Sequence, residues 1–77
     1  MMSRNIRILV QEMQRRQGAP MTLGQLESLI KFKPGELDGA IHTLERLGLL
    51  VTHPGSRLRP MEVTLTLEGR RRRGDLL

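Results

Sequence analysis

The chain has 77 residues, a formal charge of +5, no cysteine and one aromatic residue, Phe32. These numbers bound it to a single small domain with an aliphatic core, and they exclude disulfides and thiolate metal sites. No apolar run is long enough to span a bilayer. Eleven of the thirteen basic residues are arginine, a balance that favours polyanions and above all nucleic acid.

A core this small is marginal, so oligomerisation or very regular helix packing would support it. Met1 to Val10 is interrupted by Arg4, Asn5 and Arg7 and reads as a poor signal peptide, so a cytoplasmic location is expected. Ser3 can cap a first helix whose stripe is Ile6, Val10 and Met13, with Leu9 beside them. Arg15 and Arg16 fall in its last turn, where positive charge suits the helix dipole. Gly18-Ala19-Pro20 ends it. As a membrane-surface helix it has no Trp or Phe to insert, so no membrane partner is expected.

Thr22 and Gln25 have the spacing of a capping box, with Met21 and Leu26 as the hydrophobic staple beside it. The second helix then runs to about Ile30 and is expected to bury Leu26, Leu29 and Ile30. Its stop is Lys31-Phe32-Lys33-Pro34, with Phe32 as the plug between helices. Pro34 suits the first turn of a third helix. There Leu37, Ile41, Leu44 and Leu47 form one apolar stripe, and Gly48 follows where a left-handed residue would close the helix.

Leu49 to His53 is short and apolar, a strand. Pro54 to Pro60 is a loop carrying Arg57 and Arg59. From Met61 to Leu67 the chain alternates strictly. Met61, Val63, Leu65 and Leu67 face one way and Glu62, Thr64 and Thr66 the other, as in a half-buried strand. Thr66 can cap a last short helix bearing Arg70 to Arg73.

Three motifs in this order carry a resemblance. Thr22-Leu23-Gly24-Gln25-Leu26 opens the second helix. Leu44-Glu45-Arg46-Leu47-Gly48-Leu49-Leu50 joins the third helix to the hairpin. Leu65-Thr66-Leu67-Glu68-Gly69-Arg70 leaves it. Together, over about residues 20 to 71, they resemble the winged helix-turn-helix transcriptional regulators of the MarR and PadR type. The resemblance implies an α+β, mainly α, fold over residues 1–77: three helices, a two-stranded wing and a short C-terminal helix.

It implies a double-stranded DNA partner and a role in transcription regulation. The third helix would lie in the major groove, presenting His42, Thr43 and Arg46. Arg57 and Arg59 would be wing-tip contacts, and Lys31 and Lys33 would meet phosphate. Arg70 and Arg71 belong to a run that reads either as an anion-binding patch or as a solvated helix face. His42 reads equally as an ordinary exposed helix residue.

The third helix departs from the family pattern. Glu36, Asp38 and Glu45 against Arg46 leave residues 34 to 47 at −2, while residues 1 to 17 and 48 to 77 each carry +3. Backbone contact through wing and termini is therefore easier to defend than base reading. The alternative is a protein-interaction domain that uses this acidic helix and does not bind DNA. A homodimer through Met2, Ile6, Leu9 and Met13 is a further expectation, set against plain core packing of the same stripe.

Catalysis is not expected. There is no nucleophile–base pairing in the sequence and no phosphate loop with its lysine. His42 and His53 are eleven apart without a third strong ligand, so no metal or other cofactor is expected, and His53 reads as a strand-end residue. No small-molecule effector pocket is evident. The operator, the regulated process and the direction of control are not legible.

Overall fold

The computed structural model describes residues 3–72. The elements run α1 (Arg4–Arg15), β1 (Met21–Thr22), α2 (Leu23–Leu29), α3 (Glu36–Arg46), β2 (Leu50–His53), β3 (Glu62–Leu65) and α4 (Leu67–Arg71). The described residues thus form an α+β domain with four helices and a three-stranded antiparallel sheet in the order β1-β3-β2.

The helix ends follow from local chemistry. Ser3 Oγ accepts the Ile6 N–H at the start of α1. At α2 the capping box is complete: Gln25 N donates to Thr22 Oγ1 at 3.1 Å, and Thr22 N donates to Gln25 Oε1 at 2.8 Å. A cap of this kind stabilises a helix by about 1 kcal/mol. Gly48 (φ +74) closes α3, its N–H reaching Glu45 O while Leu49 N reaches Leu44 O. This is a Schellman closure, in which the residue after the glycine folds its side chain back onto the helix.

That closure explains one departure from expectation. The apolar spacing extends the stripe to Leu47, yet Leu47 is 52% exposed, because the chain leaves the helix there. Leu49 takes the place beside Leu44, and both are essentially buried.

The third helix also starts later than its proline suggests. Pro34 and Gly35 are the central residues of a turn closed by Glu36 N donating to Lys33 O at 2.9 Å. With Gly35 at φ +79 this is a type II turn, in which proline suits the first central position and glycine the second. Gly35 is the N-cap and α3 begins at Glu36.

The expected two-stranded hairpin gains a third strand. Met21 pairs with Val63 and Thr22 with Glu62, so β1 edges β3 on the side away from β2. Two residues are too few to show a period, and the local signal at Met21 and Thr22 is that of a helix cap. Alternation on β3 ends at Leu65. Thr66 Oγ1 donates to Gly48 O at 2.7 Å and accepts from Gly69 N at 3.1 Å, turning the chain into α4. Leu67 therefore opens a helix and is 61% exposed instead of facing the core.

The core is aliphatic, as the composition requires. Leu9, Val10 and Met13 of α1 meet Met21, Leu26, Leu37, Ile41, Leu44, Leu49, Leu50, Val63 and Leu65, with Ile30 just past the end of α2. Each fully buried side chain of this size contributes about 1.5–3 kcal/mol. Phe32 is half-buried against this cluster, in keeping with a plug. Leu29, expected inside, is exposed at the last position of α2. Leu9 and Met13 are fully buried within the chain and Ile6 packs against the same core, so that stripe is occupied by core packing.

Candidate nucleic-acid interface

Three exposed regions hold most of the residues singled out in the sequence. The first is the β2–β3 loop. Ser56 N donates to Arg59 O at 2.8 Å, and Leu58 N donates to Ser56 Oγ at 3.3 Å. The tip is therefore a closed turn with Arg57 and Leu58 at its head. Gly55 is required beneath it, since a Cβ there would sit 2.8 Å from Met61 N and 3.0 Å from Arg59 O. Arg57 and Arg59 are exposed, and among the described residues neither has a carboxylate within salt-bridge distance. Between them Leu58 is 94% exposed.

The second region is the α2–α3 connector. Ile30, Phe32 and Leu37 line an open groove of about 430 Å³, and Lys31, Lys33 and Asp38 line it with them. The lysines project from a braced backbone. Asn5 Nδ2 donates to Lys31 O at 3.2 Å and to Glu36 Oε1 at 2.9 Å, and Lys33 N donates to the same carboxylate oxygen at 2.9 Å. The Lys33 amide first, and then Asn5, hold the Glu36 carboxyl below its ordinary range.

This changes the reading of the acidic third helix. Glu36 is half-buried and serves as a brace between α1, the connector and α3. Glu36 and Asp38 also occupy the first turn, where negative charge offsets the helix dipole. The sequence gives no sign of the Asn5 contact, which spans 31 positions.

The third region is the outer side of α3. His42, Thr43 and Arg46 are all exposed there, with spacings that place them on adjoining turns. Gly39 precedes them, and a Cβ on it would meet nothing within 4 Å. The helix thus offers bare backbone one turn in from its start.

Arg70 and Arg71 do not join these regions. They lie on α4, which packs against the C-terminal part of α1. Gln14 Nε2 donates to Gly69 O at 2.9 Å and also to Arg72 O. Sequence reasoning missed Gln14, whose partners are more than fifty positions away. Arg73 lies outside the described residues, as does Met2.

His53 Nε2 shares a 2.9 Å hydrogen bond with Thr64 Oγ1 on the neighbouring strand. Among the described residues no three His, Cys, Asp or Glu side chains could hold a metal ion. None of the described helices is long and apolar enough to cross a membrane. No protein family matches the chain, and neither a curated protein nor a solved structure matches it.

Proposed function

We propose that the chain is a small winged helix-turn-helix protein that binds double-stranded DNA and regulates transcription. The observation that carries this reading is the β2–β3 loop: a closed tip with two exposed arginines that have no carboxylate within salt-bridge distance among the described residues. The element order and the β1-β3-β2 sheet support it, since a hairpin following α3 is where a wing stands. In this reading Arg57 and Arg59 reach phosphate or the minor groove, and Lys31 and Lys33 reach phosphate beside α3. His42, Thr43 and Arg46 face the major groove. At Arg57 and Arg59 the guanidinium fork can pair phosphate oxygens bidentately, while Lys31 and Lys33 offer point charges.

The test is binding of random duplex DNA, followed by fluorescence anisotropy at low and moderate salt. Micromolar or tighter binding that falls steeply with salt is expected. No binding at low salt, from a folded protein of charge +5, would overturn the reading.

The rival reading, a protein partner on the acidic third helix, loses Glu36 to internal bracing. Its remaining acids are Asp38 and Glu45, both exposed. Reversing those two charges should tighten duplex binding if α3 faces DNA. A homodimer would have to use a face other than the buried α1 stripe.

A further inference from the structure

The largest gathering of arginines lies away from the loop and the connector. Arg70 crosses the left-handed turn that closes α1: a Cβ on Gly18 would fall 2.9 Å from Arg70 Cδ and 3.3 Å from its Nε. Arg15 and Arg16 stand just before that turn. Arg71 and Arg72 follow on α4 and at its cap, and Gln14 ties this end of α4 to α1. Five exposed arginines thus lie on the end of α1 and on α4 with its cap, where these two elements meet.

The acids among them are too few to cancel the charge. Glu12 accepts from Arg15 at 2.6 Å and from Arg16 at 3.3 Å, and Glu68 accepts from Arg72 at 3.2 Å. Five arginines against these two glutamates leave a formal +3. The ion pairs hold three guanidinium groups in place, while Arg70 and Arg71 have no carboxylate within salt-bridge distance among the described residues.

The strand register places this junction. On β3, Glu62 pairs with His53 at the loop end and Leu65 pairs with Leu50 at the other. α4 starts two residues beyond Leu65, and the turn that ends α1 leads into β1 beside Val63. The arginine junction and the Arg57–Arg59 tip are therefore at opposite ends of β3. The four residues of that strand alone span about 13 Å.

We propose that the α1–α4 arginine junction is a second duplex-binding surface, so that one domain holds two DNA segments. This rests on the reading of the β2–β3 loop as a duplex contact. Duplex is the form of nucleic acid that fits. Single strands are held by exposed aromatic platforms, and the one aromatic residue, Phe32, packs against the core. Phosphate contact by arginine needs no base reading and suits a second, sequence-independent segment.

The experiment uses beads coated with one duplex and a labelled second duplex free in solution. The full chain is expected to retain the labelled duplex on the beads in proportion to protein added. Arg15→Gln with Arg71→Gln removes two exposed charges without touching the core. This variant should bind a single duplex within about threefold of the native protein by anisotropy, yet retain at least about fivefold less labelled duplex. Unchanged retention by the variant would overturn the proposal and assign bridging to self-association. Native protein that binds one duplex but never retains a second would also overturn it. Failure of the native protein to bind even one duplex would instead sink the reading of the loop.

Discussion

Two helical glycines invite the same substitution with opposite outcomes. In α4 a Cβ on Gly69 would lie 2.2 Å from Leu49 O and 3.1 Å from the carbonyl carbon. A carbon needs about 3.3 Å from a carbonyl oxygen, so α4 must retreat by about 1 Å. The obstacle is backbone and cannot rotate away. Retreat strains three hydrogen bonds that seat α4: Thr66 N to Leu49 O at 3.0 Å, Thr66 Oγ1 to Gly48 O at 2.7 Å and Gln14 Nε2 to Gly69 O at 2.9 Å. Overpacking of this kind costs about 1–3 kcal/mol, and each weakened bond about 0.5–1.5 kcal/mol. Gly69→Ala should therefore lose about 3 kcal/mol, a large part of what a domain this size has to spare. Gly39→Ala adds its methyl to open space within α3, just past the first turn. It should gain about 0.5–1 kcal/mol from helix propensity. Thermal melts followed by far-ultraviolet circular dichroism would read these as a fall of roughly 12–24 °C and a rise of roughly 2–8 °C. A Gly69→Ala melt within about 2 °C of the native protein, or a Gly39→Ala melt below it, would refute the packing argument.

Gln17 occupies a left-handed position (φ +59) that favours glycine. Gln17→Gly should raise the melting temperature by about 2–8 °C, and a fall would mean that the side chain contributes something its conformation does not reveal. Glu36 has a folded pKa below its ordinary 4.5. Its contribution to stability is complete above the unfolded value and is lost as pH falls through the depressed folded value. Glu36→Gln should accordingly destabilise the protein at neutral pH and converge with it in acid; equal destabilisation at both ends of a urea-denaturation pH series would contradict the bracing role. Gly55→Ala should open the loop tip and weaken duplex binding about fivefold while the core melt stays nearly constant. Duplex affinity unchanged in that variant would show that tip geometry does not matter.

What the sequence made legible was chemistry acting within three or four residues. Ser3, the Thr22–Gln25 box, Gly48 and Thr66 each satisfy a nearby backbone group, so spacing alone locates them. The misreadings came from competing local rules or from contacts far apart in the chain. Pro34 fits either the first turn of a helix or the corner of a type II turn; Gly35 beside it favours the turn. Leu47 and Leu67 continue an apolar period past the point where caps end the element. Strand β1 is too short for any period. At the candidate interface, the exposure of Arg57 and Arg59 followed from the proline-flanked loop. The role of Glu36 depends on Asn5, and the junction of Arg70 with α1 depends on folding the two ends of the chain together. Neither has a local sign.

The most direct test of duplex binding through the loop compares the native protein with the Arg57→Ala, Arg59→Ala double variant. Affinity for a random duplex is measured across a series of salt concentrations. Both arginines are exposed and lack ion pairs among the described residues, so the fold should be unaffected. Two lost phosphate contacts should weaken binding to every sequence and reduce the slope of log affinity against log salt by about 2. An unchanged affinity and slope would contradict the loop contact.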